Sequence, residues 1–125
     1  MTLTPNFLPV GSIVEYNIGE HDTPEWEVNT IDFEDIRICV ENNERFNRNY
    51  RPIPLTPEIL TEWCGFEKVS NFEYFKSGIT LKADSNGIFY DVHGNGMKIL
   101  VFEHLHELQL FYSALTQTVL PIQIK

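Results

Sequence analysis

Two turn clusters in the second half of the chain constrain its fold more than any other feature. Asp84-Ser85-Asn86-Gly87 and His93-Gly94-Asn95-Gly96 both supply residues that adopt positive φ, as tight hairpins require. The apolar runs beside them are short, so they predict strands over 72–76, 79–83, 88–92 and 98–102. Joined by such turns, these strands form an antiparallel β-meander.

Helices are expected before and after the meander. Thr56 is a good N-cap and Pro57 stands at the first helical position, where its missing N–H costs nothing. Leu55 and Leu60 are spaced for a hydrophobic staple, and Gly65 with Phe66 reads as a left-handed C-terminal stop. A helix over 57–64 follows. Leu105, Leu108, Tyr112 and Leu115 recur at helical spacing and predict an amphipathic helix over about 104–116, its apolar face widened by Phe111. Residues 119–124, interrupted by Pro121, read as an edge strand.

The first third reads as strands. Pro9-Val10-Gly11 turns into a strand over 13–18, and a second covers 26–31 after the breaker-rich 19–24. A third is expected over 35–41, where Ile36, Ile38 and Val40 alternate with Arg37, Cys39 and Glu41. Such alternation implies an antiparallel sheet, curled like a small SH3-like half-barrel. The expectation is an α+β fold in one domain over 1–125. Its acidic β subregion spans 1–50, and helix, meander and helix span 51–125.

A chain of 125 residues buries roughly two thirds of its unfolded surface, so it needs neither metal nor disulfide to fold. The longest apolar run, 97–102, contains Lys98 and is far shorter than the ~20 residues of a membrane span. The first eleven residues contain no base and no long apolar stretch, so no secretory signal is expected. The net charge of −9 argues against sequence-independent binding to nucleic acid, which depends on neutralising phosphates. That charge is uneven. Residues 1–44 hold ten acids and only Arg37 as a base, whereas 45–55 hold three arginines and no acid.

Catalytic and metal chemistry find little support. Cys39 and Cys64 lie in no Cys-x-x-Cys motif and read as reduced, buried thiols. His104, His106 and Glu107 suggest a ligand cluster, but positions i and i+2 of a helix point about 200° apart. Gly94-x-Gly96 is too short for a phosphate loop, and Asp84 and Asp91 read as turn residues rather than paired carboxylates. No nucleophile, base and orienting group are arranged by motif. The expectation is a non-enzyme without metal or cofactor.

Two constellations remain as candidate sites. In residues 45–51, Arg45, Arg48 and Arg51 recur every third position, with Phe46 and Tyr50 between them. Three guanidiniums on one side suit a small phosphorylated ligand such as a signalling nucleotide, with the two rings stacking its base. The plainer reading neutralises the preceding acids and buries Phe46 and Tyr50 in the core. The second constellation is the acidic stretch of Glu20, Asp22, Glu25, Glu27, Asp32, Glu34 and Asp35, suited to a basic protein surface.

Residues 51–60 (Arg-Pro-Ile-Pro-Leu-Thr-Pro-Glu-Ile-Leu), followed by Cys64-Gly65-Phe66-Glu67-Lys68, resemble a segment of small uncharacterised proteins of Bacteroidetes phages and mobile elements. His104-Leu105-His106-Glu107-Leu108-Gln109 with Phe111-Tyr112-Ser113-Ala114-Leu115-Thr116 resembles that group's closing helix, and residues 9–14 its opening turn and strand. Gln117 and Thr118 stand where the group has a glycine and then an acid. The acidic first third and the arginine cluster also depart from its usual short linker. The resemblance brings no catalytic residue. What it implies is origin, a bacterial cytoplasm and a phage or prophage accessory gene. In keeping with that origin, the acidic stretch is expected to bind and block a host protein, in counter-defence. One version of that role mimics the charge of DNA; the alternative sequesters a phosphorylated ligand between subunits. Trp26, Trp63 and nine phenylalanines are a large aromatic load for this size, which favours a homodimer.

Overall fold

The structure is a computed structural model and describes residues 3, 8–90 and 100–124. Its helices and antiparallel sheets make an α+β fold. The chain divides into two units, Met1–Ile53 with His104–Leu110, and Pro54–Glu103 with Phe111–Lys125. The closing helix contributes residues to both units.

In the first unit, β1 (Ile13–Asn17) is the central strand of a three-stranded antiparallel sheet. It pairs with β2 (Trp26–Thr30) on one side and β3 (Tyr50–Pro52) on the other. The third strand is therefore not 35–41. That segment lies within α1 (Phe33–Glu41), and α2 (Asn43–Asn49) follows it. The period-two reading failed on burial: Val40 is 63% exposed, while Cys39 is fully buried.

Local chemistry explains the helix. The Asp32 carboxylate accepts from the Asp35 N–H while the Asp35 carboxylate accepts from the Asp32 N–H, a reciprocal capping box. Arg37 pairs with Glu34 and Glu41, three residues before and four after it, which is helical spacing. Packing of Ile36 and Ile38 on the core then outweighs the weak strand preference of β-branched residues.

Asn42 caps α2 by accepting from the Arg45 N–H at 3.1 Å. Asn43 and Asn47 each donate to the Leu3 carbonyl, and the Asn47 carbonyl oxygen of the side chain accepts from the Leu3 N–H. Leu3 thereby joins Leu8, Val14, Ile31, Cys39, Phe46 and Tyr50 in the core. Gln109 replaces backbone partners at the sheet, accepting from the Ile13 N–H and donating to the Gly11 carbonyl.

The second unit opens on the helix expected over 57–64, but in an altered form. Thr56 Oγ1 accepts from the Ile59 N–H, and Ile59–Trp63 then continues as a π-helix, with the Cys64 N–H bonded to the Ile59 carbonyl at 3.0 Å. Gly65 ends it at φ +75°, and the Phe66 N–H returns to the Leu60 carbonyl.

A five-stranded antiparallel sheet follows in sequence order: β4 (Glu67–Lys68), β5 (Glu73–Lys76), β6 (Ile79–Asp84), β7 (Gly87–Tyr90) and β8 (Leu100–Phe102). The meander is present with one strand more than expected. Asp84 serves its turn, accepting from the Asn86 N–H at 2.8 Å. The turn 93–96, Asp91 and residues 98–99 of the last expected strand lie outside the described residues.

Helix α3 (Leu105–Thr116) matches its expected span. Leu105, Leu108 and Tyr112 are buried, whereas Leu115 is exposed. The Phe111 ring packs on Tyr90 and Phe102 at centroid distances of 4.9 and 5.0 Å. No strand forms over 119–124; the Gln123 N–H makes a single bond to the Trp63 carbonyl.

Candidate functional site

The arginine cluster occupies two elements, and the structure divides it. Phe46 and Tyr50 are buried, and their rings stack on each other at 4.1 Å with planes 9° apart. Tyr16 packs on Tyr50 at 4.8 Å, and the Tyr50 hydroxyl donates to Asp35 Oδ1 at 2.5 Å. Burial, reinforced by the Asp35 carboxylate, holds that phenol protonated well above its ordinary range. Neither ring is presented to a base. The stacking role expected for Phe46 and Tyr50 is corrected to a core role, because α2 directs position 46 inward and β3 does the same for position 50.

Arg51 is committed as well. It stands opposite Glu15 in the β1–β3 register, with Nη2 3.1 Å from Oε2, and its guanidinium lies 4.1 Å over the Trp26 ring. Arg45 and Arg48 extend from exposed positions of α2. Of the five residues, only these two remain to meet a ligand, and no aromatic residue of the cluster joins them at the surface.

The acidic stretch also falls into two parts. Asp32 and Asp35 form the capping box of α1, which holds the Asp32 carboxyl below its usual range. Glu34 is paired with Arg37, and that hydrogen bond lowers its pKa. These three acids are occupied within their own helix, Asp35 also by Tyr50. Glu20, Asp22, Glu25 and Glu27 differ. All four are exposed on the β1–β2 hairpin, and none pairs with a base among the described residues.

That hairpin has a defined shape. Buried Asn17 accepts from the Gly19 and Glu25 N–H groups, both at 2.9 Å. At Gly19 a Cβ would stand 2.6 Å from the Thr23 carbonyl oxygen, so the loop closes too tightly there for any side chain. Asn17 was not among the expected site residues. Its signal is its position, a short amide at a strand end two residues before the run of breakers opens at Gly19.

Cys39 and Cys64 are buried free thiols, and burial pushes Cys64 up to about 12, which leaves it no thiolate at neutral pH. His104 Nδ1 lies 3.0 Å from Glu107 Oε1, and the same oxygen accepts from the His104 N–H. The His104 and His106 rings are 5.9 Å apart and nearly parallel, not on opposite sides, because His104 precedes the first residue of α3. His106 is buried.

No described helix is long and apolar enough to cross a membrane. Comparisons with protein-family models, curated proteins and solved structures find no match to this chain.

Proposed function

We propose that the chain acts without catalysis, as a phage-type accessory protein that docks its acidic hairpin on a basic surface of a host protein and blocks it. The observation that carries this reading is the set Glu20, Asp22, Glu25 and Glu27, exposed together and unneutralised while other acids of the first third are paired. Asn17 supports it by fixing the loop, so little order has to be gained on binding. Strand β2, an edge of its sheet, adds backbone groups beside these carboxylates. Clustered charge of one sign speeds encounter with a basic partner.

The test is affinity capture from bacterial lysate with the full chain and with E20Q/D22N/E25Q/E27Q. The expected result is a basic host protein held by the unaltered chain and lost by the variant, whose circular dichroism is unchanged. Equal capture by both chains overturns the reading. A nucleotide retained in native mass spectrometry of the gently purified protein overturns it in favour of ligand sequestration.

A further inference from the structure

The second unit contains a pocket that the acidic hairpin does not use. It has a volume of about 260 Å³ and is lined by Trp63, Cys64, Gly65, Lys76, Pro121 and Ile122, together with exposed Glu62. Lys76 is half-buried, and its Nζ donates to the Cys64 carbonyl oxygen at 2.7 Å. An ammonium has three donors, and this bond uses one of them. Lys76 forms no ion pair with any described residue. A partly desolvated cation with no ion-pair partner favours an anion beside it.

The backbone keeps that cation in place. The π-helical turn sets the Cys64 carbonyl at the pocket, since the Cys64 N–H reaches back five residues to Ile59. At Gly65 a Cβ would stand 2.9 Å from Lys76 Nζ, and φ is +75°, so glycine serves both the turn and the room for the ammonium. The bond from the Gln123 N–H to the Trp63 carbonyl holds residues 121–123 as the facing wall.

We propose that this pocket binds a small monocarboxylate with an apolar body. Its carboxylate meets Lys76 Nζ, and its body lies against Trp63, Pro121 and Ile122. The volume is just under the ~300 Å³ at which pockets for drug-sized ligands begin, so the ligand is small. A phosphate dianion suits the site less well, because Glu62 lines the same pocket and repels a second negative charge.

Heteronuclear NMR of the full chain tests this with phenylpropanoate, its neutral amide and inorganic phosphate. Phenylpropanoate is expected to shift the Gly65, Lys76 and Gln123 amide signals saturably, in the ~millimolar range. The neutral amide should bind about tenfold more weakly, as loss of a charge-assisted contact predicts. K76M should remove the preference for the acid. Shifts that do not saturate, equal binding of acid and amide, or stronger binding of phosphate each overturn the proposal. The comparison of acid with amide uses the unaltered chain, so it decides even if K76M does not fold.

Discussion

Phe46 lies at the centre of the first unit, fully buried and stacked on Tyr50. Phe46→Ala should therefore cost about 3–5 kcal/mol in chemical denaturation, the range for a large aromatic removed from a core. Arg45→Ala and Arg48→Ala, both at exposed positions of α2, should stay within about 0.5 kcal/mol. A reversed order would return Phe46 to the surface and restore the base-stacking role. The sequence shows the alternation of basic and aromatic residues in 45–51 but not which side is wet. A helix turns 100° per residue, and the switch from α2 to β3 at residue 50 changes the period mid-cluster. His106 gives a second prediction at this scale. Burial lowers its pKa from the ordinary 6.5, the nearby His104 adds to this and Glu107 opposes it. The unfolded chain then takes up the proton more readily than the folded one, so stability is intact above pH 6.5 and falls as pH drops below it. Denaturation midpoints at about pH 7.5 and about pH 5.5 should fall further for the natural chain than for H106L. An equal fall in both would assign the effect to other groups.

Among the elements, turns and caps were more legible than strands. The Thr56 cap, the Gly65 stop and the Asp84–Gly87 turn rest on residues whose backbone preferences act locally, and the span of α3 rests on the helical spacing of its apolar residues. The strand expected over 35–41 failed because the deciding signal lay outside its alternation. Asp32 and Asp35 begin a helix before the apolar residues are reached. The Ser77-Gly78 connection was within reach of the same turn logic. It joins Lys76 to Ile79 with φ of 51° and 82°, both positive, as a two-residue type I′ hairpin demands. Replacing Gly78 by Ala should destabilise the second unit by about 1 kcal/mol, although a Cβ there meets nothing within 4 Å. Ser77→Ala should also destabilise it, by about 1 kcal/mol, because alanine loses the hydrogen bond between Ser77 Oγ and the Tyr112 hydroxyl at 2.9 Å. Thermal unfolding of the two variants checks both losses, and a neutral Gly78→Ala would mean that the turn relaxes freely.

At the scale of the whole molecule, chain order conceals the division into two units. Residues 104–110 return to the first unit across fifty intervening positions (54–103). Gln109, whose amide satisfies Ile13 and Gly11, had no local signature of that role. The place of the acids along the chain, by contrast, was legible, though not which of them are paired, and it yields the broadest prediction. Ten acids fall within residues 1–44, and the structure leaves Glu20, Asp22, Glu25 and Glu27 without a base among the described residues. At low ionic strength these carboxylates repel one another and the rest of an acidic chain, which weakens the folded state. Salt shortens the Debye length from roughly 30 Å at 0.01 M to roughly 8 Å at 0.15 M, which screens repulsion between exposed charges. The melting temperature should therefore rise by a few degrees between these conditions. E20Q/D22N/E25Q/E27Q should melt higher at low salt and lose most of that rise. A variant that keeps the full salt response would place the repulsion elsewhere in the chain and remove the hairpin's claim to be its focus of negative potential. A natural chain that melts lower in salt would show its ion pairs, Arg37 with Glu34 and Glu41 and Arg51 with Glu15, outweighing the unpaired acids.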